Sequence, residues 1–139
     1  MPGTSISVVI DTPVKTIYDV VVDFESYPEF LSDLKAAHVE KKKPLTVSFD
    51  VHLIKKIKYS LSFNLVPNKK VEWELTEGDL FKKNSGSWTF KELKKNQTEA
   101  TYNIDVAFGF LVPSLITNKL IGRSLPDMMQ KFEKRAESL

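Results

Sequence analysis

Several residue types are scarce in this chain of 139 residues, which has no cysteine, two histidines and five glycines. The absence of cysteine excludes disulfides and thiolate metal sites, and it is compatible with a reducing compartment. No run of about 18 apolar residues occurs, so the sequence predicts no membrane-spanning helix. The first residues, MPGTSISVVID, lack the basic and apolar segments of a signal peptide. We therefore expect a cytoplasmic protein.

An excess of charge of one sign is also missing. The 20 Lys and Arg and 18 Asp and Glu leave a formal net charge of +2. Strong nucleic-acid binding usually needs a concentrated basic face, so this balance disfavours it. With 42% hydrophobic and 27% charged residues, the composition is typical of a globular domain. The length fits one domain over 1–139, and no repeat or linker is visible.

The segment 113–139 contains the longest helical pattern. Its apolar residues recur mostly at gaps of three to five, which predicts one apolar stripe on a helix. Gly122 and Pro126 weaken this pattern, so we expect a kink, or two helices that meet, near Ser124. Such a helix needs an apolar partner surface, which the preceding strands can supply. The stripe comprises Leu115, Ile116, Leu120, Ile121, Leu125, Met128, Met129, Phe132 and Ala136.

The N-terminal part of the chain predicts one strand and two helices. Apolar and polar residues alternate over Thr4–Ile10, which predicts a strand. Thr12 followed by Pro13 predicts a capped helix start, and the apolar face of 14–22 continues this helix. Pro28 can open a short second helix after it.

The middle of the chain alternates apolar and polar residues with period two, as in strands with one dry face and one wet face. Turns of hairpin length predict an antiparallel meander of sequential neighbours. One longer connection is predicted over Glu77–Asn84. The order of elements gives the α+β class. The six predicted strands lie within 36–41, 47–53, 57–65, 71–75, 86–90 and 100–108.

The dry face of the predicted sheet is rich in aromatic rings. Strand twist accumulates, so a seven-stranded sheet curls, and one helix about 10–12 Å across does not fill it. Two interpretations stay open: the rings pack on each other as a core, or they leave an apolar cavity for a ligand. The rings belong to Phe49, Tyr59, Phe63, Trp73, Trp88, Phe90, Tyr102 and Phe108.

Three short motifs point to a family. They are D-x-x-x-Y-P-x-F (Asp23, Tyr27, Pro28, Phe30), G-x-W-x-F (Gly86, Trp88, Phe90) and F-x-x-R-A (Phe132, Arg135, Ala136). On these residues the chain resembles the START-like, helix-grip superfamily, and within it the polyketide cyclase/dehydrase and coenzyme Q-binding protein family. The resemblance implies a curved seven-stranded antiparallel sheet wrapped around a long C-terminal helix, with two short helices after the first strand. It also implies a hydrophobic tunnel for a lipid or prenylquinone, with no metal and no cofactor.

The tunnel residues follow from this resemblance and from the dry-face pattern. We expect an isoprenoid quinone or another lipid, carried without catalysis. Tyr59 and Tyr102 either satisfy buried groups or hydrogen-bond a quinone carbonyl or polyketide oxygen. Ser32 and Asp33 stand where the family tends to have Pro-Trp. The expected ligand contacts are Tyr27, Phe30, Leu31, Phe49, Tyr59, Phe63, Trp73, Phe81, Trp88, Phe90, Tyr102, Val106, Phe110, Met128 and Met129.

An enzyme is the first alternative. A cyclase acting on an aromatic polyketide would need several polar groups that converge in the cavity. His38 and His52 fall on the wet side of their strands and match no metal-binding or hydrolase motif. Glu25 and Glu29 are the only paired carboxylates near the predicted mouth, and we favour a solvated surface pair.

A ribosome-binding protein is the second alternative, because a ribosome-association toxin branch resembles the same family. Lysines at turns can attract anionic lipid or ribosomal RNA, but they also serve solubility and protect sheet edges. Successive turns of a meander lie at opposite ends of the sheet, so we favour solvated lysines and leave ribosome binding open. These lysines are Lys41 to Lys43, Lys55, Lys56, Lys69, Lys70, Lys82, Lys83, Lys94 and Lys95.

An uncharged connection, Phe108–Pro113, follows the last predicted strand. Loops normally run over the surface and are polar, so this composition is unusual. Phe110 and Leu111 either fold back as a lid on the core or form an apolar mouth together with Phe30 and Leu31. The second interpretation predicts transient contact with a membrane surface.

Overall fold

The computed structural model describes residues 4–52, 56–78, 81–108 and 125–139. The helical elements are α1 (Val14–Val22), a 3₁₀ helix (Phe24–Glu29) and α2 (Leu125–Glu137). The strands are β1 (Thr4–Ile10), β2 (Leu34–Lys42), β3 (Leu45–His52), β4 (Lys56–Val66), β5 (Lys70–Gly78), β6 (Phe81–Lys94) and β7 (Gln97–Phe108).

The seven strands form one antiparallel sheet in the order β1-β7-β6-β5-β4-β3-β2. From β2 to β7 each strand pairs with its successor in the chain, as the short turns dictate. β1 then pairs with the free edge of β7, from Thr4 opposite Ile104 to Ile10 opposite Thr98. The predicted α+β fold, a curved seven-stranded antiparallel sheet around the C-terminal helix, is confirmed.

α2 presents one buried stripe to the concave face of the sheet. Leu125, Met129, Phe132 and Ala136 are all buried, and their helical spacing places them on one side. Contacts with α1 and β1 hold the helix in place. Residues 113–124 of the predicted helix, and the kink expected near Ser124, lie outside the described residues.

α1 covers a second part of the concave face. Ile17, Tyr18, Val20 and Val21 are its buried residues, and it packs against β6, β7 and α2. The edge of the Tyr18 ring meets Phe90, with 6.1 Å between ring centroids. The two helices therefore cover different parts of the concave face of the sheet.

The predicted Thr12 cap of α1 is wrong. Pro13 is the N-cap residue, and no side chain caps this helix. Thr12 instead belongs to a tight turn after β1, because its backbone N–H donates to the Ile10 carbonyl at 2.9 Å. Its own carbonyl accepts a hydrogen bond from Thr98 Oγ1 at 2.9 Å. These bonds tie the β1–α1 junction to β7.

Two predicted boundaries are also wrong. Pro28 lies inside the 3₁₀ helix, because that helix already begins at Phe24, directly after α1. The long connection expected over Glu77–Asn84 is mostly strand, since β5 continues to Gly78 and β6 begins at Phe81. Backbone pairing with β7 continues the ladder through this polar segment, with Asn84 opposite Val106.

Candidate ligand-binding cavity

A cavity of about 490 Å³ lies between the concave face of the sheet and α2. Small-molecule sites usually have about 300–1,000 Å³, so the volume suits a ligand. α1, the 3₁₀ helix and its following loop, β2 to β7 and α2 all contribute to the wall. Among the predicted contacts, the wall includes Tyr27, Leu31, Phe49, Tyr59, Phe63, Trp73, Phe81, Trp88, Tyr102, Val106 and Met128.

Three predicted contacts lie elsewhere. Phe90 is buried against the Trp88 ring, at a centroid distance of 6.0 Å, on the side that α1 covers. Met129 belongs to the buried stripe of α2. Phe30 packs edge-on against Phe132 at 5.1 Å. Phe110 lies outside the described residues, and ligand contact by the wall residues stays a prediction.

The aromatic rings of the sheet pack on each other and also line the cavity. Trp88 meets Phe132 and Tyr102 with centroid distances of 5.0 Å each, which forms a continuous aromatic layer under α2. Phe49 stacks on Tyr59 at 5.4 Å with an interplanar angle of 29°. The rings therefore pack as a core and also border a cavity, and ligand binding in that cavity stays a prediction.

Tyr27 connects the 3₁₀ helix to α1. Its buried hydroxyl donates a hydrogen bond to the carbonyl of Val21. Burial raises the pKa of Tyr27 well above its ordinary value of 10.0. This bond ties the 3₁₀ helix to the last turn of α1.

Tyr59 and Tyr102 line the cavity, and their hydroxyls have no hydrogen-bond partner among the described residues. Burial raises the pKa of both phenols far above the ordinary value of 10.0, and the Tyr59 hydroxyl adds to the shift of Tyr102. Both groups therefore stay protonated at neutral pH. Each can donate or accept a hydrogen bond from a ligand.

Asn84 is a wall residue that the sequence interpretation missed. It is buried, and its Oδ1 accepts a hydrogen bond from Trp73 Nε1 at 3.1 Å. The error came from placing Asn84 in a connection. Asn84 has the same parity as Gly86 and Trp88, so the period-two pattern of β6 extended by two residues would have placed it on the dry face.

Gly86 makes room for the indole ring of Trp73. The two residues are opposite each other on β6 and β5. A Cβ atom at Gly86 would lie 2.7 Å from Trp73 Cζ2 and 2.2 Å from the carbonyl oxygen of Asn103, both too close for van der Waals contact. The glycine of the G-x-W-x-F motif therefore lets Trp73 lie against the sheet.

Four polar residues form the rim of the cavity: Ser32, Asp33, Asp127 and Lys131. Ser32, Asp33 and Asp127 are exposed to solvent while they line the cavity, so they mark its opening. Lys131 Nζ donates to Ser32 Oγ at 3.1 Å, which links α2 to the loop after the 3₁₀ helix. The departure from the family pattern at 32–33 therefore lies on this rim.

A second link, close to the rim, joins α2 to the end of the 3₁₀ helix. Arg135 pairs with Glu29 at 2.7 Å, and its guanidinium lies over the Phe30 ring at 5.1 Å. Glu25 points to a different partner, because its Oε2 accepts a hydrogen bond from Val39 N at 3.0 Å. The two glutamates thus serve separate structural contacts, which agrees with their interpretation as surface residues.

Both histidines lie away from the cavity. His38 is exposed, with Nδ1 3.2 Å from Glu25 Oε2. His52 Nε2 lies 3.2 Å from Asp50 Oδ1 on the convex face, opposite in parity to the wall residues Phe49 and Val51. In the described ranges, no three His, Asp or Glu side chains are grouped in a way that could hold a metal ion.

The uncharged connection that was expected to form an apolar mouth is mostly outside the described residues. Its first residue, Phe108, ends β7, and 109–113 are not described. Among the helices that the structure does describe, none has the length and apolar character needed to cross a bilayer.

Comparison with known proteins identifies a family and several relatives of this chain. A family model described as polyketide cyclase/dehydrase and lipid transport matches residues 10–133. Ribosome association toxin RatA from Escherichia coli K12 is 25% identical over 142 residues, which cover 100% of this chain and 89% of RatA.

Solved structures share the fold. A START superfamily protein from Mycobacterium smegmatis has a TM-score of 0.87 at 23% identity, over 99% of each chain. The Zhui aromatase/cyclase from Streptomyces sp. R1128 has a TM-score of 0.86 at 13% identity, over 97% of this chain and 93% of its own. The resemblance to the polyketide cyclase/dehydrase family inferred from three motifs is confirmed by the family model, and these structures confirm the helix-grip fold.

Proposed function

Because this chain belongs to the polyketide cyclase/dehydrase and lipid transport family, we propose that its cavity binds and carries an isoprenoid quinone or another lipid. Family and fold support a hydrophobic ligand in general, and the quinone or lipid is the finer part of the proposal. The observation that carries it is the aromatic-walled cavity of about 490 Å³ between the sheet and α2.

The aromatic side chains of the wall favour a ligand with a flat ring. The rings of Phe49 and Tyr59 stack with an interplanar angle of 29°. The ring centroids of Trp73 and Tyr102 are 5.3 Å apart, with an interplanar angle of 32°. Stacking on such rings contributes about 0.5–1.5 kcal/mol per pair beyond the burial of apolar area. A quinone head group offers a flat ring of this kind, and its isoprenoid tail suits the aliphatic remainder of the wall.

Carriage is favoured over catalysis by the groups that face the cavity. A general base works best with a pKa near the operating pH. Tyr59 and Tyr102 have pKa values raised far above 10.0, and the two histidines lie outside the wall. The carboxylates of Asp33 and Asp127 lie at the solvent-exposed rim. The wall can therefore orient a ligand through hydrogen bonds, but these groups are poorly suited to remove protons from it.

Two measurements test the proposal. Mass spectrometry of an organic extract of the purified protein should detect a bound quinone or lipid. Titration with a ubiquinone that has one isoprene unit should quench the fluorescence of Trp73 and Trp88 saturably, because both indoles line the cavity. Val106→Trp fills the wall and should block this binding. Val9→Trp is the matched control, since Val9 is 47% exposed.

The control variant carries the same additional indole outside the cavity, so it should bind the quinone as the parent does. Equal binding by Val106→Trp and Val9→Trp would place the quinone outside the cavity. A blank extract together with no saturable quenching in the parent would contradict the proposed function itself.

Ribosome association is a second candidate, favoured by one observation. The similarity to RatA extends over the whole chain at 25% identity. It predicts that the protein co-sediments with ribosomes in a salt-dependent manner, as expected for contacts to RNA phosphates. Co-sedimentation without any bound lipid in the extract would favour this function over carriage. Its absence at low salt would exclude it.

Transient membrane contact is a further part of the proposal and rests on the uncharged sequence of Phe108–Pro113. Two buried apolar side chains would contribute about 1.5–3 kcal/mol each, which is enough only for weak, reversible attachment. Liposome flotation of Phe110→Asp and Leu111→Asp tests it. Parental binding by both folded variants, or no vesicle binding by the parent, would exclude the contact.

A further inference from the structure

The side-chain amide of Asn84 has a defined orientation. Asn84 is 4% exposed and lies on the cavity wall. Its partner is Trp73 Nε1, at 3.1 Å. An indole N–H can only donate, so the atom that faces it must be the amide oxygen and cannot be the nitrogen. The NH₂ group of Asn84 is therefore turned away from Trp73.

Trp73 is itself held in place by the sheet. Its ring occupies the space above Gly86, where a Cβ atom would lie only 2.7 Å from it. It also packs against Phe63 and Tyr102, at centroid distances of 6.1 and 5.3 Å. Because the indole of Trp73 is fixed, its hydrogen bond to Oδ1 also fixes the direction in which the Nδ2 group of Asn84 donates.

The Asn84 Nδ2 group has no hydrogen-bond partner within the described part of the chain. Among the described residues, Nδ2 is not one of the fully buried side-chain atoms that lack a partner, so it is accessible from the cavity that Asn84 lines. A polar group at such a position is satisfied by water or by a ligand. The residue opposite Asn84 on β7 is Val106, which offers no acceptor in its side chain. A molecule bound in the cavity that Asn84 lines can supply this acceptor.

We propose that Asn84 is the polar anchor of the cavity and that its Nδ2 donates a hydrogen bond to a carbonyl oxygen of the bound molecule. This inference rests on the proposed function and narrows the ligand class. A plain hydrocarbon chain cannot satisfy the amide, whereas a quinone carbonyl or an acyl carbonyl can. The unpartnered hydroxyls of Tyr59 and Tyr102 provide further donors for a second oxygen.

A pair of probes with the same skeleton tests this. Menadione is 2-methyl-1,4-naphthoquinone, and 2-methylnaphthalene is the same ring system without the two oxygens. Apolar burial alone favours the hydrocarbon, so tighter binding of menadione requires polar contacts in the cavity. By calorimetric titration, the parent should bind menadione about tenfold more tightly, as expected for one net hydrogen bond. Methyl laurate provides the acyl carbonyl for comparison.

Asn84→Leu removes the donor at nearly constant volume. It should lose about tenfold in affinity for the carbonyl probes and keep its affinity for 2-methylnaphthalene. The matched control is Asn64→Leu, the same change at an exposed position of β4. If Asn84→Leu loses affinity only for menadione, the anchor binds a quinone carbonyl. If it loses affinity only for methyl laurate, the anchor binds an acyl carbonyl.

The failure of this inference differs from the failure of the proposed function. Equal binding of menadione and 2-methylnaphthalene by the parent overturns the anchor but leaves an apolar cavity, and this result does not depend on whether a variant folds. The anchor is also overturned if folded Asn84→Leu prefers menadione over 2-methylnaphthalene as strongly as the parent does. No binding of any probe to the parent contradicts the proposed function, and the anchor with it.

Discussion

Replacing Phe132 by alanine should remove the central contact between α2 and the sheet. Phe132 is 2% exposed. Its ring meets Tyr27, Phe30 and Trp88 edge-on, with centroid distances of 5.2, 5.1 and 5.0 Å. These contacts join α2 to the 3₁₀ helix, to its following loop and to β6. No other described ring of α2 makes such contacts, because Phe132 is the only aromatic residue of that helix.

The expected loss of stability is about 3–5 kcal/mol, as for other buried phenylalanines replaced by alanine. The value depends on how far the surroundings can collapse into the space that the ring leaves. Phe132 already borders the cavity, so the truncation enlarges an existing space and the lining cannot close over it. We therefore expect a loss in the upper half of this range, about 4–5 kcal/mol.

Equilibrium urea denaturation followed by far-UV circular dichroism measures this loss. Tryptophan fluorescence is a poor probe here, because the substitution changes the surroundings of Trp88 directly. The denaturant slope should stay unchanged, so that the shift in midpoint reports stability. Lys134→Ala is the matched control on an exposed position of α2 and should change stability by less than about 0.5 kcal/mol.

A loss below about 1 kcal/mol for Phe132→Ala would refute the reasoning, because a truncated ring in a packed site costs more than that. It would mean that α2 does not hold the concave face through this residue. A loss of the same size in Lys134→Ala would instead show that the whole helix is sensitive to substitution.

Three further predictions concern the cavity and its surroundings. His38→Ala and His52→Ala should bind the short ubiquinone as the parent does; loss of binding by either folded variant would contradict carriage without histidine. Gly86→Ala should shift the fluorescence of Trp73 and weaken quinone binding, because its Cβ would lie 2.7 Å from the indole; unchanged spectrum and affinity would contradict this packing. Stability should fall as the pH rises above about 10, where tyrosines of the unfolded chain ionise, because burial raises the pKa of Tyr102 in the folded state. In urea midpoints measured against pH, Tyr102→Phe should weaken that fall, and an unchanged pH dependence would count against it.

The fold could be predicted because its signals are local and repeated. Period-two alternation over β3, β4, β5 and β7 marks one dry face, and short turns leave sequential pairing as the simplest topology. The ends of the strands were harder to predict than the strands themselves. The polar stretch before Gly86 resembles a loop in composition, yet pairing with β7 makes it strand, because backbone hydrogen bonds form whatever the side chains are.

The candidate site was predicted only in part, for a physical reason that Trp88 and Phe90 illustrate. Both point to the same face of β6, and both are buried. Trp88 lines the cavity, whereas Phe90 lies under Tyr18 of α1. Strand parity can place a ring on a face, but the distant element that covers it decides whether it faces a ligand or a helix.

The sequence by itself determined the class of fold, the dry face of the sheet and the need for a covering helix, because alternation and helical periodicity are properties of neighbouring residues. The tertiary structure decided where a cavity remains and which polar atoms face it. The bond from Trp73 to Asn84 joins residues of two strands, and its geometry depends on the space above Gly86. Such an arrangement arises from packing between strands, so no pattern along one segment reveals it.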